Sequence, residues 1–273
     1  SQHIPTKNLQ PTPLKPKNMA DILEEIIADK RAYMAATRKK SRSMKRSLAE
    51  SGSGIIAEFK RKSPSKGWIH ADAKAEIVVP QYAEGGTSAV SILTDEKYFG
   101  GSPAFIQAVR ASVPDLPILR KEFIIDEYQV YEAKAIGADA ILLIAAALTP
   151  DHYSALLRTA HSLGLEVLLE VHAPEELSYL DAGIPDMLGV NNRSLGTFHT
   201  DVNHSFEIAR QMQAAVAHLS DAERPVLVSE SGISSPDIVR QLRSFGFRGF
   251  LIGECFMKET EPGEALRQFI SRL

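Results

Sequence analysis

The sequence predicts an α/β protein, a closed (β/α)8 TIM barrel preceded by an extra helical segment. Three observations predict it. From Gly54 onward, short β-branched or aliphatic runs alternate with amphipathic stretches, eight times over. The runs are almost continuously apolar, as parallel strands covered by helices must be. Eight such units in about 220 residues suit closure into a barrel better than an open doubly wound sheet.

Taken in order, residues 1–17 are proline-rich without apolar periodicity and read as a flexible leader, leaving 18–273 as one domain. Asn18 followed by Asp21 resembles a helix cap, and Ile22, Leu23, Ile26, Ile27, Ala32 and Tyr33 recur at helical spacing, so a first helix is expected to run to about Lys40. The basic run from Arg38 to Arg46 has no interleaved aromatic residues for base stacking and is read as a solvated face.

The expected strands are Ile55–Lys60, Ala89–Leu93, Ile118–Phe123, Ala140–Ala145, Val167–Val171, Met187–Asn191, Val226–Glu230 and Phe250–Gly253. Helices are expected between them, including Glu127–Ile136, Asp151–Leu163, Pro174–Ala182 and Pro236–Leu242, several opened by the Asp, Ser or Pro typical of helix N-termini. Gly52-Ser53-Gly54-Ile55-Ile56-Ala57 has the letters of a dinucleotide-binding fingerprint. It precedes a strand, however, where that motif must follow one and open a helix.

Composition narrows the function. A chain of 273 residues that is 44% hydrophobic can bury roughly 75% of its extended surface without metals or disulfides. Its longest apolar stretch, Ala140 to Leu148, is about half of what a membrane-spanning helix needs. The single cysteine, Cys255, can form no internal disulfide and is read as an inert thiol in a cytoplasmic protein. With a net charge of −3 there is no global attraction to nucleic acid or anionic membranes, so an anionic ligand must be held locally. The histidines show no metal-binding spacing, and His172 reads as a helix-start residue, so no metal site is expected.

In a barrel, chemistry sits where strands end, and here the strand ends are charged. Alternation places Ile56, Glu58 and Lys60 on one face, and Leu119, Lys121 and Phe123 on another. Glu170 and Glu230 close the fifth and seventh strands. Removing a charge from water costs several kcal/mol, roughly, unless it is paired. Five charges at the ends of four strands therefore point to a catalytic mouth. The glycine-containing turns Ser231-Gly232 after strand seven and Gly253-Glu254 after strand eight lie where this architecture grips phosphate, and the loop from Lys60 to Gly67 adds hydroxyls and basic groups.

Several segments then resemble one family in the same order. They are Ile56-Ala57-Glu58-Phe59-Lys60-Arg61-Lys62-Ser63-Pro64-Ser65-Lys66-Gly67, Ser91 to Phe99, Leu119 to Asp126, Gly189 to Arg193 and Ser229 to Ile233. Together they resemble the indole-3-glycerol phosphate synthases. Trp68 and the Glu254-Cys255 pair depart from the commoner residues of that family.

The resemblance implies ring closure of 1-(2-carboxyphenylamino)-1-deoxyribulose 5-phosphate to indole-3-glycerol phosphate, with loss of carbon dioxide and water and with no cofactor. It implies Lys121 as general acid, and Lys60 as holder of the substrate carboxylate with Glu58 as its partner. Glu170 or Glu58 would be the base, and Asn191, Glu230 and Ser231 would orient hydroxyls. Phe99, Phe123 and Leu142 would wall the ring, while Ser63, Arg193, Gly232, Gly253 and Glu254 would receive the phosphate. It also implies that the first helix caps the barrel mouth. The expected partner is a small sugar phosphate, with no nucleic acid and no membrane, and the protein is expected to be a monomer or weak homo-oligomer.

Overall fold

The computed structural model describes residues 19–39, 42–194, 197 and 199–273; the expected leader lies outside them. The chain divides into two compact units, residues 1–41 and 42–273. The first carries helix α1 (Met19–Lys39), with Asp21 in its first turn, close to the expected bounds.

The second unit is a closed barrel of eight parallel strands. These are β1 (Ile55–Phe59), β2 (Ala89–Leu93), β3 (Ile118–Lys121), β4 (Ala140–Ile144), β5 (Glu166–Val171), β6 (Met187–Asn191), β7 (Val226–Glu230) and β8 (Gly249–Ile252). Each pairs with its neighbours in sequence, and closure is made by β1 with β8, in register from Ile55 with Phe250 to Ala57 with Ile252.

Helices α3 (Ala75–Glu84), α5 (Pro103–Arg110), α6 (Glu127–Ile136), α7 (Pro150–Ser162), α8 (Asn203–Val216), α9 (Pro236–Ser244) and α11 (Pro262–Ile270) cover the outside, and α4 (Glu96–Phe99) and α10 (Glu254–Met257) are single turns in loops. Outward residues such as Val90, Ile141, Leu169 and Leu188 join the helices in one apolar core. Inward residues such as Ile56, Ala89, Leu119, Ala140, Leu168 and Met187 form a second core inside the barrel. This period of two is what places side chains two residues further along each strand inside the mouth.

The structure departs from expectation in three places. The segment Pro174–Ala182 is a 3-10 helix and not an α-helix. Its longer rise lets nine residues cover about 18 Å where an α-helix covers about 13.5 Å, which suits a short connection between β5 and β6. Strands β1 and β3 end at Phe59 and Lys121, so Lys60 and Phe123 belong to loops; Phe123 is exposed at the rim and is not held inside by strand alternation.

The third departure lies in the basic run, which contains helix α2 (Met44–Glu50), capped by Ser43 accepting the Arg46 N–H. Met44 and Leu48 are buried in the inner core with Ile56, Ala89 and Val226. Arg42 binds Asp139 at 2.7 Å, Lys45 donates to the Ala222 carbonyl, and Ser43 and the Lys45 N–H both donate to Glu166. These residues fasten a plug to the lower rim and are not a solvated face. A seven-residue helix with two apolar residues four apart is too short for periodicity to reveal.

Candidate active site

Five charged side chains meet at the upper end of the barrel. Lys121, the last residue of β3, places Nζ 3.0 Å from Glu230 Oε2, 3.8 Å from Glu170 Oε2 and 3.9 Å from Glu58 Oε2. Lys60 Nζ lies 3.1 Å from Glu58 Oε1. Ser91, beside Glu58 in the β1–β2 register, donates to its other oxygen at 3.1 Å. All three carboxylates are buried. The alternation that put Glu58, Lys121, Glu170 and Glu230 on inward faces therefore brings them into one constellation.

The electrostatics sort these groups. Burial raises Glu58, but Lys60 and Lys121 outweigh it and hold the carboxyl below its usual range. Burial lowers Lys121, yet Glu230, Glu58 and Glu170 together hold its ammonium well above the ordinary lysine value. Glu230 goes the other way. Burial first, opposed by Lys121 and reinforced by Glu170, pushes it up to about 8. Near neutrality Glu230 thus carries a proton, while Glu58 stays ionised beside the Lys121 ammonium.

Small residues make room for this packing. A Cβ on Gly189 of β6 would stand 2.3 Å from Glu230 Oε1, and one on Gly253 would stand 2.9 Å from Glu58 Oε1. Ser231, directly after β7, has φ 69° and Gly232 has φ +76°. For Ser231 that left-handed conformation is unusual. Asn192 helps hold the turn by donating to the Ser231 carbonyl at 3.0 Å and to Ser229 Oγ at 3.1 Å.

Two cavities open beside the charged cluster and share Glu58, Lys60, Arg193, Ser231 and Leu251. The larger, about 630 Å³, is walled on its apolar side by Leu93, Phe99, Phe123, Leu142 and Ile144, and Lys121, Glu170 and Asn191 also line it. The rings of Phe99 and Phe123 pack 6.0 Å apart. The smaller, about 440 Å³, is polar, with Ser65, Lys66, Arg193, Gly232, Gly253 and Glu254 on its walls. Arg193 donates to Ser65 Oγ at 2.7 Å, and Lys66 is ion-paired with Glu254. Burial raises Glu254, but the Lys66 pairing outweighs it and holds this carboxyl below its usual range. Cys255 also lines this cavity; its Sγ is 3.7 Å from the Ser234 carbonyl, and burial pushes the thiol up, away from the thiolate a nucleophile needs.

Of the residues expected at the phosphate end, Arg193, Gly232, Gly253 and Glu254 share the polar cavity, whereas Ser63 lines the larger one and its hydroxyl accepts the Lys66 N–H at 3.3 Å. Ser65 and Lys66, two and three residues on, reach the polar cavity instead. Sequence reasoning gave Ser91 and Gly189 no part in the cluster, since their roles depend on strand register, and read His172, whose Nε2 lies 3.3 Å from Glu170 Oε1, only as a helix-start residue.

Residues 15–269 match the family model of indole-3-glycerol phosphate synthase. The chain belongs to that family. An indole-3-glycerol phosphate synthase of Bacteroides thetaiotaomicron is 55% identical over 93% of this chain and 100% of its own length. One of Salinibacter ruber is 43% identical over 82% of this chain and 80% of its own, and one of Carboxydothermus hydrogenoformans 42% identical over 80% and 79%. Among solved structures, a 3-hexulose-6-phosphate synthase overlays with a TM-score of 0.62 at 13% identity, covering 80% of this chain and 99% of that one, a likeness of fold. Membership gives the activity, a carboxy-lyase step of tryptophan biosynthesis acting on a sugar phosphate.

Proposed function

We propose that Lys121 is the general acid of the ring closure and that the two cavities divide the substrate between them, aromatic ring in the larger and phosphate in the smaller. The observation that carries this reading is Lys121 within 3.9 Å of three buried carboxylates, on the wall of the aromatic-lined cavity. Attack of the anthranilate ring carbon on the ketone builds negative charge on the carbonyl oxygen. An ammonium held protonated in a largely dry site stabilises that charge and delivers its proton.

Lys60 receives the ring carboxylate, with Glu58 orienting it, and loss of carbon dioxide restores the aromaticity of the attacking ring carbon. Glu170 is the base of the dehydration. Both it and Glu58 line the larger cavity, but the Glu58 carboxylate is engaged by Lys60 at 3.1 Å and by Ser91, whereas Glu170 meets Lys121 only at 3.8 Å. Asn191 and Ser231, on the cavity wall, orient the sugar hydroxyls, and Glu230, which lines neither cavity, acts through Lys121. Arg193, Ser65 and the backbone at Gly232 and Gly253 take the phosphate, and Lys66 exchanges Glu254 for it. Ser63 acts at one remove, by shaping the loop that presents Ser65 and Lys66.

The same reading takes residues 18–273 as the catalytic chain of a cytoplasmic monomer or weak homo-oligomer. Adding the carboxyphenylamino deoxyribulose phosphate to purified protein without metal or cofactor should yield indole fluorescence and one carbon dioxide per turnover. Folded protein that stays silent would remove the assignment.

A further inference from the structure

Glu170 has two distinct oxygens in this site. Oε2 faces Lys121 and the cavity, while Oε1 faces backwards, 3.3 Å from Nε2 of His172. The His172 ring is largely buried, and neither of its nitrogens has a hydrogen-bond partner. Buried polar atoms are seldom left in that state. Catalytic hydrogen bonds are, however, commonly long or misaligned in an empty site and tighten around substrate.

The surroundings constrain the ring. His204 of α8 holds the backbone next to it, with Nε2 2.7 Å from the His172 carbonyl, and Glu176 accepts the His172 N–H at 2.6 Å. The Glu176 carboxylate reaches Nδ1 only at 4.0 Å. Burial lowers the imidazole pKa, as do His204 and Lys121, against Glu176 and Glu230, so the ring is neutral near pH 7. An ionised carboxylate only accepts hydrogen bonds. A neutral ring that serves ionised Glu170 must therefore carry its proton on Nε2.

We propose that His172 is a positioning residue for Glu170: its Nε2–H closes onto Oε1 when substrate binds, fixing the carboxylate so that Oε2 is the oxygen presented to the proton it removes. This rests on Glu170 being the dehydration base. The groups facing the pair are Lys121 of β3, Glu230 of β7, Glu176 of the following 3-10 helix and His204 of α8. A donor on Oε1 favours the ionised form of Glu170. Losing it should raise the pH at which the base becomes available.

The test compares His172→Leu, which cannot donate, with His172→Gln, whose amide can. For His172→Leu, kcat should fall about tenfold, a fraction of the 10²–10⁴-fold span of a positioned acid or base, with KM within about twofold and the acid limb of the kcat profile moved to higher pH. His172→Gln should recover most of kcat and restore the limb. If both variants lose kcat alike with the acid limb unmoved, or if His172→Leu behaves as wild type, the proposal fails. Nitrogen NMR of the intact protein provides a check independent of how the variants fold. The Nε2–H tautomer of His172 is expected at neutral pH, and an Nδ1–H tautomer would overturn the proposal. Glu170→Gln separates the two levels of the argument: an active Glu170→Gln enzyme removes the base assignment itself, whereas an inactive one beside an unaffected His172→Leu enzyme removes only the role of His172.

Discussion

The ammonium of Lys121 lies nearest to Glu230, at 3.0 Å, and Glu230 is the carboxyl pushed up to about 8. The closest neighbour of the acid is thus a group that resists becoming fully negative. Lys121 is held in place without being tied to a full counter-charge at hydrogen-bond distance, and its proton stays available to an oxygen that develops charge during ring closure.

Replacing Lys121 by Met should lower kcat by about 10²-fold or more, the scale of a lost general acid. The buried carboxylates can take up protons in response, so the far-ultraviolet circular dichroism and a cooperative melt should persist. Near-normal turnover would assign the acid to another group.

Glu230 makes stability depend on pH in a defined sense. Its folded value of about 8 stands above the ordinary carboxyl value of 4.5, so between the two the folded state binds the extra proton. The resulting stabilisation is complete below the lower value and is lost as pH rises through the upper one. Glu230→Gln mimics the protonated carboxyl at every pH. The melting temperature of wild type minus that of Glu230→Gln should therefore fall steadily from pH 5 to pH 8; parallel curves would contradict the buried-acid assignment.

At the polar cavity, Arg193→Ala should raise KM by about 10- to 100-fold, the worth of a charge-assisted hydrogen bond, with a smaller effect on kcat. Competitive inhibition by inorganic phosphate should weaken in parallel. A loss confined to kcat would move the phosphate elsewhere.

Gly189→Ala tests the packing beneath the cluster. The added methyl would stand 2.3 Å from Glu230 Oε1 and 3.0 Å from Leu168 Cδ1, so Glu230 must move. Overpacking of this kind costs about 1–3 kcal/mol. The melting temperature should drop, and kcat should fall more than tenfold because Glu230 is displaced from Lys121. Unchanged kinetics would show that Glu230 need not sit where it does.

Leu48→Ala at the opposite end should separate stability from chemistry. Truncating a leucine in a packed interior costs about 2–5 kcal/mol, measured by denaturant titration, while kcat at a temperature where the variant is folded should match wild type. A matching loss of kcat would mean that the plug reaches the chemistry.

How much of this was legible in the sequence follows from the range of the interactions involved. Strands β2, β6 and β7 carry the expected bounds because Gly, Pro and charged residues punctuate short apolar runs. The convergence of Glu58, Lys121, Glu170 and Glu230 follows from the period of two together with barrel closure, both written locally. Ser91 and Gly189 were hidden because each matters through its neighbour in the sheet, Ser91 beside Glu58 and Gly189 beneath Glu230. Ser63 reads as a phosphate ligand because its loop is basic and hydroxyl-rich. Only the fold of that loop shows that Ser63 turns to the Lys66 amide while Ser65 faces Arg193. Helix α2 was missed because its apolar residues make sense only against the barrel floor.

That stopper gives the enzyme a one-way architecture. With Met44 and Leu48 filling the lower end, the two cavities found among the described residues both open at the upper mouth, beside the charged cluster.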